Sequence, residues 1–188
     1  STQLLLAVWV GVTAVGASYL LAGHWVALPV SNAPSAMVAR ALAEHRGDAP
    51  SWLAVHVLYE DCGCSQGVLH RLLATSPQPG TTERIVFVGD DDGMAKRARG
   101  RGYQVEMVTP EQLEARYRVY AAPLFLVLGP DDELAYLGGY TSRKRGPAPQ
   151  HRNILAALRR GASVTPYPVL GCAVSARLRE TVDPLGLR

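Results

Sequence analysis

Leu53-Ala54-Val55-His56-Val57-Leu58-Tyr59-Glu60-Asp61-Cys62-Gly63-Cys64-Ser65 is the stretch on which the fold turns. Trp52 to Tyr59 is apolar and rich in residues that suit a pleated surface, so it reads as a buried strand. Two cysteines around one glycine follow at once, and Gln66 to Ala74 then reads as a helix. A strand that runs into thiols at a helix start sets them near the positive end of the helix dipole, which favours a thiolate.

Outward from this point the chain alternates. Ser35 to His45 has apolar residues at helical spacing, with Ser35 or Asn32 as cap, and Gly47 and Pro50 end it. Downstream come a strand at Ile85–Val88, a helix at Gly93–Arg101 and a strand at Tyr103–Val108. Thr109-Pro110-Glu111 opens a helix that runs to Tyr117: threonine caps it, proline takes the first position and glutamate the first turn. Leu124–Leu128 and Leu134–Leu137 read as strands joined by the turn Gly129-Pro130-Asp131-Asp132, and Gln150–Arg160 as a helix. This order predicts an α/β fold, a mixed sheet covered by helices on both faces. After the breaks at Pro166 and Pro168, Ala173–Val182 reads as a short helix with Cys172 just before it, closed by Pro184 and Gly186. Its apolar side, Val174, Leu178, Val182 and Leu185, needs cover on this domain or on a partner.

The N-terminal stretch is of another kind. Arg40 is the first charged residue, and Leu4 to Val30 is uncharged and mostly apolar, long enough for a bilayer core of ~30 Å. Trp9 near one end, and His24 and Trp25 near the other, suit an interface; Pro29 and Pro34 end the run. It is too long, and too poor in preceding positive charge, for a signal peptide. The expected organisation is a transmembrane anchor over 1–30, a folded domain over 31–161 and a tail over 162–188. Basic residues near the anchor, only Arg40 and Arg46, favour the domain inside. Thiol chemistry favours the oxidising side, and we weight it more.

A net charge of +3 and a pI of about 8.9 give no argument for nucleic acid. The one basic cluster, Arg143-Lys144-Arg145 with Arg152, reads first as a solvated loop and alternatively as a contact with lipid headgroups or an acidic partner. Three cysteines are too few for a disulfide scaffold, and a close pair plus one distant thiol points to redox or metal chemistry.

The strand Leu53–Tyr59 into Cys62-Gly63-Cys64-Ser65 resembles the thioredoxin superfamily. So does Tyr117-Arg118-Val119-Tyr120-Ala121-Ala122-Pro123-Leu124-Phe125-Leu126-Val127 with the hairpin Asp131 to Gly139. The pattern looks most like membrane-anchored thiol–disulfide oxidoreductases of the TlpA/ResA type. The resemblance covers about Ser35 to Arg160. It implies a thioredoxin-like sheet, Cys62 as nucleophile, and Pro123 as a cis-proline facing the cysteines and shaping the substrate groove. The chain departs from the family's motif. Asp61 stands where the family has tryptophan, and Ser65 holds the place of the second cysteine. A resolving role for Cys64 therefore rests on its own chemistry. Residues two apart on a regular helix face opposite sides, so Gly63 must bend the chain for Cys62 and Cys64 to join. The small ring would be strained and easily reduced. Glu60 and Asp61 would oppose a thiolate at Cys62.

The leading expectation is a thiol–disulfide oxidoreductase on a bacterial cytoplasmic membrane, domain in the periplasm, acting on protein thiols or disulfides through Cys62, Cys64 and Pro123. Cys172 is a possible third thiol. One alternative is a copper(I) metallochaperone using Cys62 and Cys64 with His70, or with His56. Cys-Gly-Cys-Ser also resembles the Cys-Gly-Phe-Ser iron–sulfur site of monothiol glutaredoxins, over four residues only. A further alternative is an accessory or scaffold subunit of a membrane complex.

Overall fold

The computed structural model describes residues 2–25, 27–31, 33, 35–44, 46, 51–143 and 148–183, with residues 19–25 in backbone only. Expectations resting on Asn32, Pro34, Gly47, Pro50, Lys144, Arg145, Pro184, Leu185 and Gly186, or on the side chains of His24 and Trp25, lie outside the described residues.

The first helix, α1, spans Thr2–Trp25. It carries no charge and has no polar face. Leu5 and Val15 are each 72% exposed and Trp9 68%. Among the described residues, no helix is long and apolar enough to cross a membrane. The expected single-pass anchor is therefore not carried by the structure. The helix forms where it was expected, over Thr2–Trp25.

The domain begins with α2 (Ser35–Ala43) and β1 (Trp52–Tyr59), followed by α3 (Gly63–Leu73), β2 (Thr81–Val88), α4 (Asp92–Gly100), β3 (Gln104–Val108) and α5 (Pro110–Tyr117). A two-residue β4 (Ala121–Ala122) precedes β5 (Leu124–Leu128), β6 (Leu134–Gly138) and α6 (His151–Arg159). The sheet order is β3-β2-β1-β5-β6. β1, β2 and β3 run parallel, whereas β5 is antiparallel to β1 and β6 to β5. This mixed sheet, flanked by helices, fits the thioredoxin-like class.

Alternation along β1 divides the core between two faces. Leu53, Val55 and Val57 pack with Leu42 of α2 and Leu113 of α5. Ala54 and Leu58 pack with Leu69 and Leu72 of α3 and with Ile154, Leu155 and Leu158 of α6. Leu58 is fully buried, and burying such a side chain contributes roughly 2 kcal/mol. β2 runs four residues further toward its start than its apolar segment predicts, because Thr81, Thr82, Glu83 and Arg84 pair with Trp52, Leu53, Ala54 and Val55. The cap expected at α5 is a full capping box: the Thr109 side chain accepts from the Gln112 N–H, and the Gln112 side chain accepts from the Thr109 N–H. Thr109→Ala is expected to cost about 1 kcal/mol in urea unfolding with an unchanged slope. A shift within error would mean that the box contributes nothing here.

The tail departs most from its predicted form. Cys172–Ala173 is a strand, β7, and the helix α7 starts only at Ala176, running to Val182. Ser175 caps it, accepting from the Leu178 N–H. β7 pairs antiparallel with β4 in a separate two-stranded sheet, so its backbone pairs with a strand and not within a helical turn. Val169 and Val174 are fully buried in the main core, and the Leu28 N–H donates to the Val169 carbonyl at 2.8 Å. Residues on both sides of the domain are thus tied to it.

Candidate functional site: three thiols at a helix start

Cys62 is the N-cap of α3, in extended conformation, with φ −111 and ψ 109. Its carbonyl accepts the first helical bond, from Gln66 N–H at 2.9 Å. The side chain is fully buried, and its Sγ lies 3.7 Å from the Ala122 carbonyl oxygen. The bond between Ala122 and Pro123 is cis. Pro123 lines a pocket of about 280 Å³ together with Cys64, Val68, Arg71, Tyr140 and Leu170. Cys64 is half-buried, so it, and not Cys62, is the sulfur open to this pocket.

β7 brings the third thiol to the same place, with Cys172 opposite Ala122 and Ala173 opposite Ala121. All three cysteines are thiols in this structure. The Cys62 pKa is held far below the ordinary thiol value of 9.0. Hydrogen bonding from Cys172 is the largest cause, followed by hydrogen bonding from Cys64. Burial pushes the other way and is outweighed; the Ser65 amide and hydroxyl add smaller contributions. A sulfur with two S–H donors and a helix start beside it is stabilised as the thiolate, despite its burial.

The carboxylates expected to oppose that thiolate are engaged elsewhere. Glu60 Oε2 accepts from the Asp90 and Asp91 amides at 2.9 and 3.2 Å. Gly89, at φ +134, makes room for it, since a Cβ there would fall 2.0 Å from the Glu60 carboxyl carbon. Asp61 accepts from the Tyr59 hydroxyl at 3.0 Å.

The two histidines weighed as metal ligands are not at the sulfurs. His70 is exposed on α3. His56 is fully buried in the sheet, stacked on Phe125 at a centroid distance of 5.0 Å. Its Nδ1 bonds the Tyr140 hydroxyl at 2.9 Å and its Nε2 bonds Glu83 Oε2 at 3.3 Å. Among the described residues no group of three or more His, Cys, Asp or Glu side chains is placed to hold a metal ion. The set Cys62, Cys64, His70 is therefore not assembled.

Sequence reading missed this buried cluster of His56, Glu83, Tyr140 and His151. The signal was present for His56, which interrupts an otherwise apolar strand, and buried polar side chains need partners. Burial pushes the Glu83 pKa up, but the hydrogen bond and charge of His56 outweigh it and hold Glu83 below 4.5. Burial is also the main cause of the low His151 pKa, about 3, with the neighbouring His56 charge second.

No protein-family model matches the chain, and no curated relative matches its sequence. Solved structures do resemble it. An uncharacterized conserved protein from Geobacillus kaustophilus superposes with a TM-score of 0.53 at 17% identity, covering 68% of this chain and 78% of that one. A hypothetical protein from Sinorhizobium meliloti superposes at 0.52 and 18% identity, covering 71% and 82%. A thioredoxin domain of a thiol-disulfide oxidoreductase from Bacteroides vulgatus matches at 13% identity over 51% of this chain and 73% of that one, with a TM-score of 0.38. That last superposition is too loose to argue from, and the first two establish likeness of fold alone.

Proposed function

We propose that the chain exchanges disulfides with protein substrates through Cys62 and Cys64, beside Pro123. The observation that carries this reading is the thiolate-stabilising surroundings of Cys62, at a helix start and within hydrogen-bonding reach of two other thiols. An inert core cysteine has apolar neighbours, and its pKa rises. In this reading Cys64, open to the pocket, is the sulfur that a substrate meets, and Cys62 is the buried thiolate that completes the exchange. Pro123, on the pocket wall, shapes the groove. Differential alkylation with peptide mapping across a graded thiol redox buffer tests it. Reversible conversion of Cys62 with another thiol is expected. Three thiols that stay unlinked at every poise would end the reading.

Attachment to a membrane, and with it a periplasmic location, is a separate part of the proposal. It is supported by the uncharged, exposed apolar surface of α1 and by the oxidising compartment that disulfide exchange favours. The same surface favours the second reading, an accessory subunit held in a membrane complex. Flotation of the full chain with phospholipid vesicles, against a variant with Leu5, Trp9 and Val12 changed to Ser, tests the attachment. Equal flotation of both would remove it.

A further inference from the structure

The segment before β7 is seated with little freedom. The Gly139 N–H donates to the Tyr167 carbonyl at 2.8 Å, and the Tyr167 N–H donates to the Tyr136 hydroxyl at 3.1 Å. Beyond it, the Val174 N–H donates to the Tyr120 carbonyl at 2.7 Å. Between these anchors, Gly171 passes so close to the strand before Pro123 that a Cβ would fall 2.0 Å from the Ala122 oxygen and 2.5 Å from Pro123 Cδ. Only glycine allows that approach, and the next residue is Cys172. Cys62 reaches the same Ala122 carbonyl from the helix side. Two sulfurs distant in sequence therefore flank one peptide group.

We propose that Cys172 is the resolving thiol of this site, closing an internal disulfide with Cys62. The inference rests on the exchange chemistry proposed above. Cys62 and Cys64 lie two residues apart at a helix start, so a bond between them closes a strained ring. Cys172 comes from another element, and its bond to Cys62 closes a long loop with no such ring. The steps balance as follows. Cys64, having lost its proton to solvent, attacks a protein disulfide RS–SR′; the Cys64–SR bond forms and R′S⁻ leaves and is protonated. The Cys62 thiolate attacks the Cys64 sulfur, and RS⁻ leaves. Cys172 gives its proton to the departing RS⁻ and attacks the Cys62 sulfur, and Cys64 leaves as a thiolate that regains a proton. One substrate disulfide is reduced to two thiols, while Cys62 and Cys172 are oxidised to one disulfide, a transfer of two electrons. Run backwards, the same steps oxidise a substrate dithiol.

The test is non-reducing peptide mapping of the full reduced chain after exposure to glutathione disulfide, with Cys172→Ser and Gly171→Val beside the wild type. Circular dichroism and melting of each reduced chain show that it is folded. The wild type is expected to give a Cys62–Cys172 peptide and lose two titratable thiols. Cys172→Ser is expected to lose that product and to stop at the strained Cys62–Cys64 bond, in exchange with its glutathione adduct on Cys64. Gly171→Val keeps all three thiols but cannot seat β7, and is expected to lose the Cys62–Cys172 peptide as well. A wild-type product of Cys62–Cys64 alone, formed at the same rate in Cys172→Ser, would overturn the role of Cys172 and leave the exchange reading standing. No protein disulfide and no glutathione adduct in any chain would overturn both.

Discussion

Cys62→Ser is expected to lower thiol–disulfide exchange by about a thousandfold or more, because the hydroxyl that replaces the stabilised thiolate does not ionise. The same variant should remove the ultraviolet thiolate signal of the reduced chain near neutral pH. The sign follows from the lowered pKa of Cys62: in the folded chain the thiolate persists as pH falls well below the ordinary 9.0. A depressed pKa contributes stability that is fully present above 9.0 and declines as pH falls toward the folded value. The reduced wild type should therefore lose stability on acidification through that window, and Cys62→Ser should lose less. If thiolate absorbance in the wild type titrates near 9 and Cys62→Ser leaves the curve unchanged, the electrostatic account of the site is wrong.

Glu83→Ala should be the most damaging single truncation of a polar side chain. It leaves His56 Nε2 in the sheet without its carboxylate, and removes the acceptor of the Gln78 N–H at 2.8 Å. The loss of a buried partner of this kind costs about 3 kcal/mol, or roughly 6–12 °C in Tm for a chain of this size. Glu83→Gln separates charge from shape. The Glu83 carboxyl is held below 4.5, so its contribution is present above pH 4.5 and is lost as pH falls through the folded value. Glu83→Gln should flatten that limb of a stability–pH curve. His151 acts over a higher window. Its folded pKa is about 3, so below 6.5 the unfolded chain takes up a proton that the folded chain refuses, and stability falls with pH. Thermal melts of wild type, Glu83→Gln and His151→Phe between pH 3 and 7 would resolve the two limbs. Superimposable curves for all three would refute the assignment.

The order of strands and helices was legible from periodicity, because each element shows its buried face as a pattern of apolar residues. Trp52–Tyr59, Leu124–Leu128 and the capped helix after Thr109 all stand within a residue or two of their expected bounds. β2 was read short because Thr81 to Arg84 have no apolar pattern of their own; neighbouring β1 holds them extended. The first residues show the opposite limit. Hydropathy predicted a membrane-spanning length, whereas among the described residues no helix is long and apolar enough to cross a membrane.

At the site, the chain by itself determined that Cys62 and Cys64 lie at a strand-to-helix junction, because that depends only on local preference and spacing. It also carried Pro123 ahead of β5, in a context that resembles a cis-proline strand. Tertiary structure alone decided that Cys172 belongs with them, that Cys62 is the buried sulfur and Cys64 the open one, and that Glu60 is engaged by the Asp90 and Asp91 amides. It also decided that His56 serves the core with Glu83 and Tyr140. The meetings of Cys172 with Ala122 and of His56 with Glu83 and Tyr140 join residues far apart in the chain. A tail strand has no intrinsic reason to pair with Ala121–Ala122; it does so because Val169 and Val174 are buried and Gly171 permits the approach. Local sequence records what a residue prefers, whereas the partner it meets is set by which apolar surfaces must be covered together.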